Sequence, residues 1–152
     1  MNHILLDTNI LLDRSFRQAP DNAAGIQVLR GCQLRKWNGY ATPWSVMTMM
    51  YLMDAARDSV DRRIWTKAQI MTEVAGLLTF ITLVEGNNGA FTAGFSLGWA
   101  DWEDAVLYSI AESHPQIEAI VTNDKGFVTR TKKLPGVKAI PPAELTQAAA
   151  QK

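Results

Sequence analysis

The stretch His3-Ile4-Leu5-Leu6-Asp7-Thr8-Asn9-Ile10-Leu11-Leu12-Asp13 decides the fold class, because its pattern changes in the middle. Ile4-Leu5-Leu6 is a short apolar run that ends on a carboxylate, the form of a buried strand. Asp7-Thr8-Asn9 then offers capping side chains for a turn or helix beginning near Ile10. Further along, the same alternation repeats. A helix is predicted over 22–34, with Ile26 and Leu29 facing inward. Asn38-Gly39 reads as a turn and Tyr40-Ala41 as a short strand. Thr42-Pro43 has the form of a helix start, a hydroxyl cap followed by proline at the first position. Val46, Met49, Met50 and Met53 then recur at helical spacing.

The second half continues in kind. A helix over 61–78 is expected to carry Ile64, Ala68, Met71, Ala75 and Leu78 on one stripe. A strand over 80–84 follows, ended by Asn87-Asn88-Gly89. Next come a helix over 101–113, a strand over 118–122, a loop opened by Lys125-Gly126-Phe127, a weak strand over 137–139 and a terminal helix from Pro142 to Ala149. Strands alternating with helices predict an α/β fold, a short parallel sheet with helices on both faces. Ligands of such sheets bind beyond the carboxyl ends of the strands, where the strand order reverses. The polar residues expected there are Asp7, Thr42 and the Thr122-Asn123-Asp124 group.

Composition sets the outer limits. The 152 residues are expected to form one domain spanning 1–152. Apolar residues make up 47% and charged residues 20%, which excludes a disordered or collagen-like chain. Cys32 is the lone cysteine, so no internal disulfide exists and a reducing cytoplasm is the expected setting. No apolar run reaches membrane-spanning length, and no membrane role is expected. Fifteen basic and fifteen acidic side chains cancel, which argues against a protein that coats nucleic acid. A nuclease, with an acidic centre and local basic patches, stays open.

Asp7, Asp101, Asp104 and Asp124 form the candidate site. Asp101 and Asp104 are three apart at a helix start and share a face. Each carboxylate also has a plain structural reading as a helix cap or turn former. Their convergence at strand ends is what points to chemistry. Magnesium and manganese take oxygen ligands, typically a few carboxylates with water and substrate phosphate. With His3 and His114 the only histidines, a histidine-rich zinc site is disfavoured.

These residues fall in motifs that resemble PIN domains. Residues 5–13 look like the opening motif. Thr42-Pro43-Trp44-Ser45 with Tyr51-Leu52 is similar to the second, and Asp101-Trp102-Glu103-Asp104-Ala105 to the third. Residues 121–127 resemble the fourth motif and Pro142-Ala143-Glu144-Leu145 the usual ending. The resemblance implies a three-layer α/β/α fold and Mg2+- or Mn2+-dependent cleavage of RNA. It further implies a VapC-like toxin, forming a homodimer and restrained by an antitoxin protein. Carried over, Asp7, Asp104 and Asp124 would be the catalytic, metal-holding carboxylates. Asp101 would assist as an auxiliary acid, and Asn9 and Ser45 would support the site. Thr48 stands where many active members place a glutamate, while one branch has asparagine. A catalytically degenerate PIN-like module that binds RNA or protein is therefore the alternative.

Several other signals carry two readings. Trp44, Trp99 and Trp102 flank the proposed site and could stack on unpaired bases, or simply fill core and rim. Arg57, Arg62, Arg63 and Lys67, and likewise Lys125, Arg130, Lys132 and Lys133, are candidate phosphate-tracking patches or solvated faces. The Met47–Met53 cluster reads as adaptable core or a dimer face. Residues 89–96 imitate a phosphate loop, but Phe95 stands where its lysine belongs. A phosphatase reading of Asp7-Thr8-Asn9 is weakened because Asn9 cannot serve as an acid, and a small-molecule phosphatase stays as a second rival that turnover of a generic aryl phosphate would reveal.

Overall fold

The computed structural model describes residues 1–16 and 22–150. Strand β1 (His3–Leu6) leads into α1 (Thr8–Asp13) and α2 (Ala23–Gln33). Strand β2 (Asn38–Ala41) is followed by α3 (Pro43–Ala55) and α4 (Lys67–Leu78). After β3 (Ile81–Leu83) come α5 (Asn88–Ser96) and α6 (Trp102–Glu112). The chain closes with β4 (Ala119–Val121), α7 (Lys125–Lys132), β5 (Lys138–Ile140) and α8 (Pro142–Ala150). The five strands are parallel and ordered β3-β2-β1-β4-β5. This is the α/β architecture expected from the sequence.

Strand alternation divides the interior into two layers. Ile4, Leu6, Ala119, Val121 and Ile140 face one side, where α1 to α4 and Leu145 of α8 pack. Leu5, Ile120 and Ala139 face the other, against α5, α6 and α7. The side switches because crossovers in such sheets keep one hand, so reversing direction along the sheet puts the helices on the opposite face. The reversal lies between β1 and β4. It opens a crevice beyond Leu6 and Val121, where Asp7 and Thr122 follow directly.

Four local readings are corrected. The helix expected over 61–78 begins only at Lys67, behind a capping box in which Thr66 and Gln69 satisfy each other's backbone. Residues 57–63 instead form a tight loop, with Asp58 accepting from the backbone of Val60 and Arg62 and a bridge joining Arg57 to Arg63. The buried stripe of α4 is consequently Ile70 and Leu77, with Val74 packed beside them, while Ile64, Met71 and Leu78 are exposed.

Asn38-Gly39 is not a turn but the first half of β2. A side chain at Gly39 would lie 2.8 Å from the Cys32 sulfur and 2.5 Å from Ile81, so its glycine serves close packing. The glycine-containing stretch 89–96 belongs to helix α5, capped by Asn87. Gly94 is required there because a Cβ would approach the Val106 backbone at 2.9 Å. Lys125-Gly126-Phe127 opens helix α7 rather than a loop, with Asp124 as its cap. The remaining strand and helix ends shift by one or two residues. Ile26 is half-buried, with Val28 taking the fully buried place beside Leu29.

Candidate metal centre

Three helices begin at the crevice, and each is capped by an aspartate of the candidate set. Asp7 caps α1, accepting from the Thr8 backbone at 2.6 Å. Asp101 caps α6 through the Asp104 backbone at 3.1 Å. Asp124 caps α7 through the Phe127 backbone at 2.9 Å. All three therefore have the structural role of helix caps. Capping uses Oδ1 of Asp101 and of Asp124, and the positive helix ends favour carboxylates at these places.

The cleft between them has a volume of about 250 Å³ and is lined by Asp7, Asn9, Thr48, Asp101, Glu103, Asp104 and Asp124, among others. Asp101, Asp104 and Asp124 each bring a carboxylate oxygen within 4.8 Å of the other two. Hard divalent cations take oxygen ligands, and three carboxylates within this span are a donor set of that kind. Asp7 lies in the same wall but outside that trio. Its Oδ2 accepts from Thr122 Oγ1 and from Asn9 Nδ2, each at 2.6 Å, so both oxygens are already engaged. Asp101, expected only as an auxiliary acid, lies within that trio.

Asn9 joins two sides of the crevice. Its amide donates to Asp7 and also to Thr122 at 3.1 Å, while its carbonyl accepts from the Asn123 backbone at 3.0 Å. Ser45 is placed differently. It is buried against Thr42, with the two hydroxyls 2.8 Å apart, and does not line the cleft. It secures the start of α3, which carries Thr48 into the wall.

Electrostatics follow from crowding. Burial, together with Asp101, Asp7 and Asp124, pushes the Asp104 carboxyl up to about 7 against the opposing pull of Arg130. Burial raises Asp7 as well, opposed by its hydrogen bonds from Thr122, Thr8 and Asn9. Glu103 is raised by burial and by Asp7, and its carboxylate accepts from the Thr8 hydroxyl at 3.3 Å. The three raised carboxyls share one cause, burial of several acids beside one another.

Sequence reasoning missed Glu103 as a cleft residue, although its position between Asp101 and Asp104 was the available signal. It also missed Asp13, which is buried and accepts from the Asn123 side chain at 3.0 Å. Burial pushes Asp13 up to about 6. Arg130, read as part of a basic patch, donates to Asp104, a residue of the cleft wall. Its guanidinium lies 5.2 Å from the centre of the Trp99 ring, so Trp99 supports an arginine and packs on Phe127 and Tyr108. Trp102 is exposed and ends a row of rings running through Phe95 and Phe91 to Trp44. In the other basic patch, Arg62 pairs with Asp58 and Arg63 with Asp54.

Among the described residues, no helix is long and apolar enough to cross a membrane. No protein-family model matches the sequence, and no curated protein matches it. Solved structures do share the fold. PAE2754 from Pyrobaculum aerophilum superposes with a TM-score of 0.65 at 16% identity, covering 99% of this chain and 97% of that one. VapBC2 from Rickettsia felis, solved bound to a DNA fragment from its promoter, gives a TM-score of 0.62 at 12% identity over 91% of this chain and 98% of the other. At these identities the likeness establishes the fold: the chain adopts a PIN-like α/β architecture.

Proposed function

We propose that the protein is a divalent-metal-dependent ribonuclease, the toxin of a toxin–antitoxin pair. The carrying observation is the meeting of Asp101, Asp104 and Asp124 within 4.8 Å, beside Asp7, at the strand-order reversal of a PIN-like sheet. The ordered motifs that resemble PIN domains supply the choice of RNA as substrate.

Asp104 and Asp124 would hold the metal, with Asp101 in direct reach of the same position and Asp7 as the fixed wall behind them. A bound Mg2+ or Mn2+ supplies an activated water and neutralises charge on a phosphodiester. The remaining work belongs to the chain. Asn9 and Thr122 hold Asp7 in one orientation, and the caps of α6 and α7 fix Asp101 and Asp124 on rigid helices. Hydrolysis adds water across one P–O bond, leaving a phosphate monoester on one fragment and a hydroxyl on the other.

Association with an antitoxin or a second copy needs apolar surface, and the protein exposes it. Met47, Tyr51 and Met71 line a groove of about 330 Å³ between α3 and α4. A cytoplasmic homodimer held by its antitoxin is part of the same proposal.

The test is Asp104→Asn. Cleavage of RNA in manganese should disappear while the circular dichroism spectrum stays that of the parent. Equal activity in the two proteins removes Asp104 from the mechanism. A second reading is favoured by Thr48, which lines the cleft with a hydroxyl and adds no charge. RNA binding that persists in EDTA, without products under any divalent ion, supports this non-catalytic module instead.

A further inference from the structure

Among the described residues, Arg130 is the basic side chain that forms an ion pair with the carboxylate cluster. It projects from α7, and Nη2 donates to Asp104 Oδ2. The Asp104 side chain is 9% exposed and that of Arg130 34%, so the carboxylate is the more shielded partner of the pair. The guanidinium is positioned by more than its charge. One face lies over Trp99, a cation–π contact. Gly126 leaves it room, since a Cβ there would stand 3.3 Å from Nη1.

This pose is not saturated. Arg130 Nε is buried and has no hydrogen-bond partner among the described residues. A buried unpaired donor is costly. The arginine thus sits in this pose with one donor unsatisfied while Nη2 holds Asp104. A divalent cation among Asp101, Asp104 and Asp124 requires the same carboxylate. The two cations compete for one residue.

We propose that Arg130 is the resident counter-ion of the cleft, holding Asp104 when no divalent ion is bound and surrendering it when one enters. The proposal rests on the metal-site reading above. It makes cation affinity a property of α7 as well as of the carboxylates.

The experiment is calorimetric titration of the full chain with Mn2+, using the parent, Arg130→Gln and Lys125→Gln. Lys125 is exposed at the start of the same helix and controls for general charge. Arg130→Gln should bind Mn2+ about tenfold more tightly, the scale of a partly exposed ion pair. Lys125→Gln should stay within about twofold of the parent, as an exposed, screened charge does. Unchanged or weaker binding by Arg130→Gln overturns the proposal, and so does an equal shift in both variants. If the parent binds Mn2+ and Arg130→Gln behaves like it, the counter-ion role fails while the metal site stands. If no form binds, both fail. A measurement without substitution guards against a misfolded variant: the 15N resonance of Arg130 Nε should move when Mg2+ is added to the parent. A resonance that stays in place counts against the proposal.

Discussion

The Thr122 hydroxyl donates to Asp7 Oδ2 at 2.6 Å, joining residues 115 positions apart at the ends of neighbouring strands β1 and β4. Thr122 Oγ1 itself accepts from the Asp124 backbone at 2.9 Å and from Asn9 at 3.1 Å. One buried hydroxyl thus ties Asp7 to the loop that carries Asp124. Thr122→Val keeps the shape and removes that centre, leaving Asp7 short of a donor and the Asp124 N–H unpaired. The expected cost is about 1–3 kcal/mol in denaturant unfolding, together with weaker Mn2+ binding. Thr122→Ser should restore most of both. Full metal affinity in the valine variant counts against the tie.

Asp13 couples α1 to α2 and to the β4–α7 connection. A Cβ on Gly25 would stand 1.7 Å from Asp13 Oδ2, so Gly25→Ala must displace a buried carboxylate that holds Asn123. Overpacking of this kind costs about 1–3 kcal/mol. The penalty should shrink in an Asp13→Ala background, where the obstruction is gone. A double-mutant cycle by urea unfolding checks this, and simple additivity excludes the coupling.

The Asp104 carboxyl stands at about 7 against an ordinary 3.8. Between these values the folded protein binds more protons than the unfolded chain, so metal-free stability falls as pH rises through the window. Asp104→Asn escapes that penalty. In EDTA at pH 8 it should be more stable than the parent by on the order of 1–3 kcal/mol, and the gap should close towards pH 4. Urea unfolding at both pH values decides. A variant less stable than the parent at pH 8 contradicts the crowding of charge around Asp104.

Thr48 lines the same cleft from α3. Thr48→Glu adds a further acid and should tighten Mn2+ binding by about tenfold, while lowering metal-free stability because like charges are brought together. Calorimetry and thermal unfolding in EDTA read the two effects. Unchanged affinity means that position 48 does not address the cation.

Much of this was legible in the chain. Ile4-Leu5-Leu6 followed by Asp7 announced both the central strand and its polar end, and Thr42-Pro43 marked the start of α3. Asp101 to Asp104 declared a helix start whose acids share a face. What escaped depends on partners distant in sequence. Gly94 reads as a flexible loop residue until α6 is seen pressed against it. Gly126 reads the same way until Arg130 is seen beside it. The inward stripe of α4 was misjudged because Asp58 folds the preceding residues into a loop, which moves the helix start to Lys67. Asp13 looked like the end of a motif, and only the fold shows it buried against Asn123. Arg130 had an evident charge, but its partner Asp104 lies on another helix.

The most direct test of the account is the incubation of a mixed RNA pool with the purified protein in manganese, beside an EDTA control and Asp7→Asn. The account predicts products in manganese that vanish with EDTA and in the variant. A folded, manganese-binding parent that yields no products contradicts it.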